Sequence, residues 1–378
     1  MGKPRRRYET DLPDLDQQIE DLVQSAARAY GREDSAEFTR QIIVTALRLL
    51  RDGAEQSDVK LLNSALKELR HSFRVFAPYE HLRKVAVFGS ARTRESAPAW
   101  QQAFKFSERI AREGWMVITG AGGGIMAAAQ GGAGREASFG VNIRLPFEQA
   151  ANDVIAGDAK LINFRYFFTR KVVFVKESHA IALFPGGFGT HDEGFEALTL
   201  IQTGKRPIVP IVFVDEPGGS YWSEWAEWMR SHVAERGLIS ERDLSLFRVT
   251  DDVETAVREI LNFYSNYHSC RFVADRLVLR LRQAPDAEQL DALNRDFADL
   301  VSQGAIEACG PLTQEAGEFP QHARLTLHFN HREMGLLRTL IDVVNGYVSA
   351  SAPPPRDAGP LEMLEQSLPP EAESDEQD

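Results

Sequence analysis

Ile181-Ala-Leu-Phe184 is an apolar run too short for a helix, and it stops at Pro185-Gly186-Gly187-Phe188-Gly189-Thr190-His191-Asp192-Glu193. Phe195, Leu198 and Thr199 then follow at helical spacing. The pattern predicts a buried strand, a glycine turn and a helix N-terminus, in that order. Glycines let backbone approach an anion closely, and a helix start offers unpaired N–H groups and the positive end of its dipole. Phosphate is the guest such a turn suits. Glu193 does not help to hold an anion, so its carboxylate is expected to serve another purpose. Thr190-x-x-Glu193 also spells a capping box, in which Glu closes back on the N-cap backbone. The diglycine turn before it, and a second glycine cluster upstream, weigh toward a ligand site.

The same strand–turn–helix unit recurs. Val85–Phe88 ends in Gly89-Ser90, with a helix from Pro98 to Arg112. A strand Trp115–Thr119 ends in Gly120-Ala-Gly122-Gly123-Gly124, with a helix from Ile125. A strand Val141–Leu145, a helix Phe164–Glu177, a strand Ile208–Val214 and helices near 222–236 and 252–264 complete the run. Alternation at this spacing argues for an α/β fold, a Rossmann-like doubly wound parallel sheet. Ligands in such sheets bind beyond the carboxyl ends of the strands, and all three glycine turns are expected there.

Residues 1–78 read as an N-terminal helical extension, in which Ile19, Leu22, Val23 and Ala26 share one face and Ile42, Ile43, Leu47 and Leu50 another. Residues 79–267 hold the α/β domain. Residues 268–348 read as β-α-β-β-α, a small α+β module of ferredoxin-like type: strand Arg276–Leu281, helix Asp286–Val301, strands Ala305–Cys309 and Ala323–Phe329, and helix Met334–Tyr347. The tail, 349–378, is acidic and proline-rich and is expected to be disordered.

The formal charge of −12 over 378 residues argues against binding polymeric nucleic acid, whose affinity rests on neutralising phosphates. A nucleotide monomer in a local basic pocket stays compatible. No apolar run approaches a membrane span, and the basic start Met1–Arg7 lacks the apolar segment of a signal peptide. The two cysteines, Cys270 and Cys309, resemble neither a disulfide framework nor a zinc set. A cytoplasmic protein with reduced thiols is expected, with no metal and no cofactor.

Gly120–Gly124 does not fit the dinucleotide fingerprint, since Ile125 takes the third glycine position, and it lacks the Lys-Ser/Thr ending of a P-loop. A single phosphate is the better guest. Arg170-Lys171 lies between Tyr166-Phe-Phe168 and Val172-Val-Phe-Val175, and a dibasic pair in so apolar a helix needs a partner or a ligand. Ser90 has no His-Asp arrangement behind it and is expected to face a phosphate.

Phe168-Thr-Arg170-Lys171, followed by Pro185–Glu193, resembles the paired signature of the Lonely Guy (LOG) proteins, cytokinin riboside 5′-monophosphate phosphoribohydrolases, some of whose relatives carry a lysine-decarboxylase label. Gly89-Ser90 resembles their first phosphate loop. Gly120–Met126 and Val141-Asn-Ile-Arg-Leu-Pro146 resemble the larger bacterial members. The resemblance covers about residues 80–265. It implies hydrolysis of the N-glycosidic bond of a nucleoside 5′-monophosphate, AMP or a cytokinin riboside monophosphate, to free base and ribose 5-phosphate. Arg170 and Glu193 match the catalytic pair. Lys171, Gly186, Gly187, Gly189 and Thr190 match nucleotide-holding positions, and Gly89, Ser90, Gly122, Gly123 and Gly124 are expected to join them. The resemblance also implies a homo-oligomer. The alternative that fold alone allows is a non-catalytic sensor or carrier of a nucleotide or of a molybdenum cofactor. The presence of both Arg170 and Glu193 weighs toward the enzyme.

Overall fold

The computed structural model describes residues 8–144, 150–348 and 358. Ala358 apart, the acidic tail therefore lies outside the described residues, as do Met1–Arg7 and the Leu145-Pro146 end of an expected strand. The chain forms two compact units, divided between Lys67 and Glu68.

The first unit is helical: α1 (Pro13–Tyr30), α2 (Ala36–Arg51) and the start of α3 (Gln56–Phe76). Proline, with its fixed φ, opens α1, and Asp16 Oδ1 accepts from the Thr10 backbone N–H at 2.8 Å and the Thr10 hydroxyl at 2.9 Å. Ile19, Val23 and Ala27, one helical turn apart, pack against Ala36 and Val44. That stripe is narrower than the sequence pattern suggested. Leu22, Ile42 and Leu50 are exposed, because the contact between two helices covers one seam rather than a broad face.

The second unit is built on a parallel sheet. Its strands are β1 (Lys84–Phe88), β2 (Met116–Thr119), β3 (Ser138–Ile143), β4 (Leu161–Phe164), β5 (Ala180–Leu183), β6 (Ile211–Val214) and β7 (Phe247–Thr250). Between them run α4 (Pro98–Arg112), α5 (Ile125–Ala133), α6 (Phe167–Glu177), α7 (Phe188–Gln202) and α8 (Tyr221–Trp228), with α9 (Val253–Phe263) after β7. The sheet order is β4-β3-β2-β1-β5-β6-β7. The chain walks one way from β1 to β4, returns beside β1, and walks the other way. Right-handed crossovers then put helices on both faces, the doubly wound α/β arrangement. Strands covered twice are apolar throughout, and Val85, Ala86, Val87, Val117, Ile118, Ala182 and Leu183 are fully buried.

The third strand begins earlier than expected, at Ser138, and Leu161–Phe164 is a strand that the pattern did not reveal. Four residues with Asn163 exposed at the sheet's edge carry too little periodicity to distinguish.

The remaining elements are β8 (Tyr267–Val273), β9 (Arg276–Leu281), α10 (Ala287–Asp296), β10 (Val301–Cys309), β11 (Ala323–Phe329) and α11 (Met334–Asn345). Their antiparallel sheet runs β10-β11-β9-β8. β8 was not foreseen as a strand, although its residues from His268 on were assigned to this module. It takes the edge beside β9 that the last strand of a ferredoxin-like fold would occupy, but enters from the other end of the chain. One face of the sheet holds a buried charge cluster. Arg280 and Arg324 flank Glu315 at 2.8 and 2.7 Å, all with fully buried side chains. Burial alone would raise the Glu315 pKa, but hydrogen bonds from Arg324, the Leu312 N–H and Arg280 hold it below the usual value. Asn345 Oδ1 accepts from the backbone of Asn266 and Tyr267, and Arg338 pairs with Glu259, tying α11 to α9 and β8.

One contact positions the helix that carries the dibasic pair. Glu68, in α3, accepts from the Arg165 backbone N–H at 2.8 Å and from the Thr169 hydroxyl at 2.6 Å, placing a carboxylate at the start of α6. Glu68→Ala should therefore lower stability by about 1 kcal/mol, the usual worth of a helix cap. Chemical denaturation checks this, and an unchanged midpoint would mean that α6 holds its start without Glu68.

Candidate functional site

The reversal of strand order falls between β1 and β5, where adjacent carboxyl ends send their loops to opposite faces of the sheet. A cleft of about 890 Å³ opens there. Its polar wall comes from the loop after β1 (Gly89, Ser90, Ala91, Arg92) and the turn after β5 (Gly186, Gly187, Phe188, Gly189, Thr190). Phe88, Met126, Ile143, Phe167 and Phe174 form an apolar wall.

The two loops are joined directly. Ser90 N–H donates to Pro185 O at 3.1 Å. Gly186 lies so near that a Cβ on it would fall 2.1 Å from Thr190 Oγ1 and 3.0 Å from Ser90 N. A side chain there would push the loops apart. Helix α7 begins at Phe188, with Gly187 as its N-cap, and Thr190 and His191 donate their N–H groups to Gly187 O at 3.0 and 3.2 Å. Thr190 is thus already inside the first turn, and Glu193 lies in the second. Thr190 and Glu193 do not form a capping box, because the glycine takes the cap.

The Glu193 side chain instead turns toward α6. Arg170 Nη2 lies 3.5 Å from Glu193 Oε1, and Lys171 Nζ lies 3.6 Å from Oε2. Arg170 sits over the Phe167 and Phe174 rings and reaches the end of β2, where a Cβ on Gly120 would lie 3.8 Å from its Nη1. Burial pushes the Glu193 pKa up, and Lys171 and Arg170 only partly offset it. The positive end of the helix dipole favours an ionised carboxylate near the start of α7. Burial outweighs it here, since Glu193 is 7 % exposed and lies beyond the first turn, where the dipole's field is strongest.

Among the expected residues, Gly89, Ser90, Arg170, Gly186, Gly187, Gly189, Thr190 and Glu193 line the cleft. Lys171, Gly122, Gly123 and Gly124 are not in its lining. Lys171 turns its amine to Glu196 at 2.7 Å and Asp192 at 2.9 Å. Burial lowers its pKa, but those hydrogen bonds outweigh burial and raise it. Gly123 and Gly124 support the first loop from behind, and Gly122 lies under Met126. Gly124 has a φ of +60°, and a Cβ there would lie 2.2 Å from Ser90 O. Ile125 N–H donates to Ser90 O at 3.0 Å, and Met126 folds over Gly120 and Gly122. Asn152 Nδ2 donates to Ala121 O and Gly122 O at 3.1 and 2.9 Å.

Sequence reasoning missed Asn152, Arg92 and Tyr221. The Tyr221 hydroxyl donates to Gly186 O at 2.5 Å and lies 3.5 Å from His191 Nε2. His191 Nδ1 is 3.1 Å from Gly187 O, so the ring lines the cleft while bracing its turn. Nothing in the chain marks a tyrosine so far along as a partner of the turn. Arg92, two residues after Ser90, was closer to hand. Among the described residues, no group of three or more His, Cys, Asp or Glu is placed to hold a metal, and no helix is long and apolar enough to cross a membrane.

The glycines should therefore separate on substitution. Gly124→Ala should cost roughly 1–3 kcal/mol, from positive φ and overpacking against Ser90. Gly187→Ala, whose Cβ would meet open space, should cost less, about the fraction of a kcal/mol by which alanine is a poorer N-cap than glycine. Equal effects would mean that Gly124 carries no packing load.

Residues 123–260 match the family described as "Possible lysine decarboxylase". No curated protein matches the chain. Among solved structures, the molybdenum cofactor carrier protein from Chlamydomonas reinhardtii is 22% identical, with 48% of this chain and 98% of that one covered and a TM-score of 0.34. The molybdenum cofactor binding protein from the phototrophic bacterium Rippkaea orientalis is 19% identical, with 46% and 91% covered and a TM-score of 0.31. The matched segment contains both Arg170-Lys171 and Pro185–Glu193, and it supports membership of the LOG family.

Proposed function

We propose that the protein hydrolyses the N-glycosidic bond of a nucleoside 5′-monophosphate, AMP or a cytokinin riboside monophosphate, releasing free base and ribose 5-phosphate. The observation that carries this reading is a buried carboxylate, Glu193, paired with Arg170, in a cleft whose opposite wall is a pair of glycine loops. A phosphate would rest on the N–H groups at the start of α7, which have no partner within the helix. The base would lie toward Phe88, Met126, Ile143, Phe167 and Phe174.

Breaking the C1′–N bond builds positive charge on the ribose. A carboxylate fixed beside it stabilises that charge and orients or deprotonates the attacking water. Arg170 holds Glu193 in place and is near enough to the cleft to meet the nucleotide. By linkage, a carboxylate with a raised pKa favours the folded state at low pH, and that contribution is lost as pH rises through the raised value. At neutral pH an ionised Glu193 therefore weighs against folding, as an ionised group kept for chemistry would. Pyridoxal-dependent decarboxylation fits poorly. It needs a lysine amine in the cleft, and among the described residues that line it there is none.

Purified protein incubated with nucleoside 5′-monophosphates should release base and ribose 5-phosphate, with AMP far ahead of adenosine, because anchored phosphate supplies binding energy that a nucleoside lacks. Binding of AMP without cleavage would favour a sensor or carrier instead. Glu193→Gln should fold and bind AMP but lose turnover by roughly two or more orders of magnitude. In the wild type, kcat/KM should fall on the acid side through a pKa above that of an ordinary glutamate, and the residual rate of Glu193→Gln should lack this limb. An unaltered limb would assign it to another group.

A cytoplasmic homo-oligomer belongs to the same reading. Exposed Leu22, Phe38, Ile42 and Leu50 on the first unit are apolar surface that a second copy would cover. Light scattering should report a dimer or larger assembly at micromolar concentration, and a monomer would remove this part.

A further inference from the structure

The signature's second cation is turned away from the cleft. Lys171 Nζ is held among Glu196, Asp192 and Glu193, at 2.7, 2.9 and 3.6 Å. Arg170, at 3.5 Å from Glu193, shares its charge with that carboxylate. Together these five side chains carry two positive and three negative charges, so the cluster repels a dianion. A phosphate in the cleft must find its countercharge elsewhere. Arg92 is the other arginine in the lining, and among the described residues its guanidinium has no ion-pair partner.

The backbone holds Arg92 at the glycine wall. Its N–H donates to Ser90 Oγ at 3.1 Å, which leaves the Ser90 hydroxyl proton able to point toward a ligand. Ser90 is itself fixed on two sides, by Pro185 O at 3.1 Å and by Ile125 N–H at 3.0 Å. Gly124 packs under this loop, where any side chain would collide with Ser90 O. A well-anchored backbone thus carries an exposed, unpaired, permanently charged side chain, and guanidinium is the group that grips phosphate oxygens in pairs.

We propose that Arg92 is the phosphate-binding cation of the cleft and sets its selectivity for a 5′-monophosphate over the nucleoside. This rests on the nucleotide reading above. The labour is divided: Arg170 serves Glu193 and the bond to be broken, Arg92 serves the phosphate, and Lys171 serves the acidic cluster that braces Glu193.

The test compares wild type, Arg92→Ala and Arg92→Lys by calorimetric binding of AMP, ribose 5-phosphate and inorganic phosphate, and by turnover of AMP and adenosine. Arg92→Ala should weaken the three phosphate-bearing probes by about tenfold to a hundredfold, the worth of a charge-assisted hydrogen bond or two. KM for AMP should rise by a similar factor, kcat should change little, and the slow turnover of adenosine should not move. Arg92→Lys should recover part of the affinity. Arg92 is exposed, so the melting temperature should be unaltered, and this separates the effect from misfolding. If the wild type cleaves AMP and Arg92→Ala does so with unchanged KM, the assignment falls and the hydrolase reading stands. A wild type that binds none of the three probes would overturn both.

Discussion

The parallel pairing of β1 with β5 is the constraint on which the rest depends. Val85 to Phe88 stand in register with Ala180 to Leu183, so both strands end at the same level. Their loops must leave for opposite faces, because one strand begins the walk toward β4 and the other the walk toward β7. A gap opens where they part. Whatever closes its floor must be small, since the loops touch through Ser90 N and Pro185 O. Gly186 and Gly124 meet that requirement. The cleft is thus a consequence of strand order, and its glycines are consequences of the closeness of two loops.

Within this frame the charges oppose one another. Burial disfavours an ionised Glu193, while Arg170 and Lys171 favour it, and burial has the larger effect. Removing the cations would leave a buried carboxylate unpaired, a strongly destabilising state, and removing the carboxylate would leave two cations crowded together. Asp192 and Glu196 relieve the second problem by occupying Lys171. The antiparallel module solves a similar problem differently. There Glu315 receives two buried arginines, whose hydrogen bonds, with that of the Leu312 N–H, outweigh burial and hold it below its usual pKa. Of the two carboxylates, Glu193 is the one that its cations only partly compensate for burial.

Tyr221 and Glu68 show how distant segments hold this arrangement. Tyr221, at the head of α8, donates to Gly186 O, and Glu68, in α3, receives the start of α6. One steadies the turn that bears Glu193 and the other the helix that bears Arg170. Both act through backbone groups or a hydroxyl, and neither requires a special residue type nearby in sequence.

The parallel α/β sheet was legible in the sequence because its causes are local. Apolar runs of four or five residues cannot be amphipathic helices, and glycines at their ends name the turn. Glu193 and Arg170 were legible for a related reason: a charged residue in an apolar or glycine-rich setting stands out against its neighbours. The edge strand Leu161–Phe164 and the leading strand Tyr267–Val273 were not, since a strand's partner, not its own pattern, makes it a strand. Nor could the sequence tell Lys171 from Arg170. They are adjacent, but successive residues on a helix point about 100° apart. One faces the cleft and the other the acids of α7, and only the packing of α6 against α7 decides which. For the same reason the second glycine cluster, read as a phosphate loop, became a support. A glycine permits close approach, and tertiary structure alone determines whether a ligand or another loop approaches.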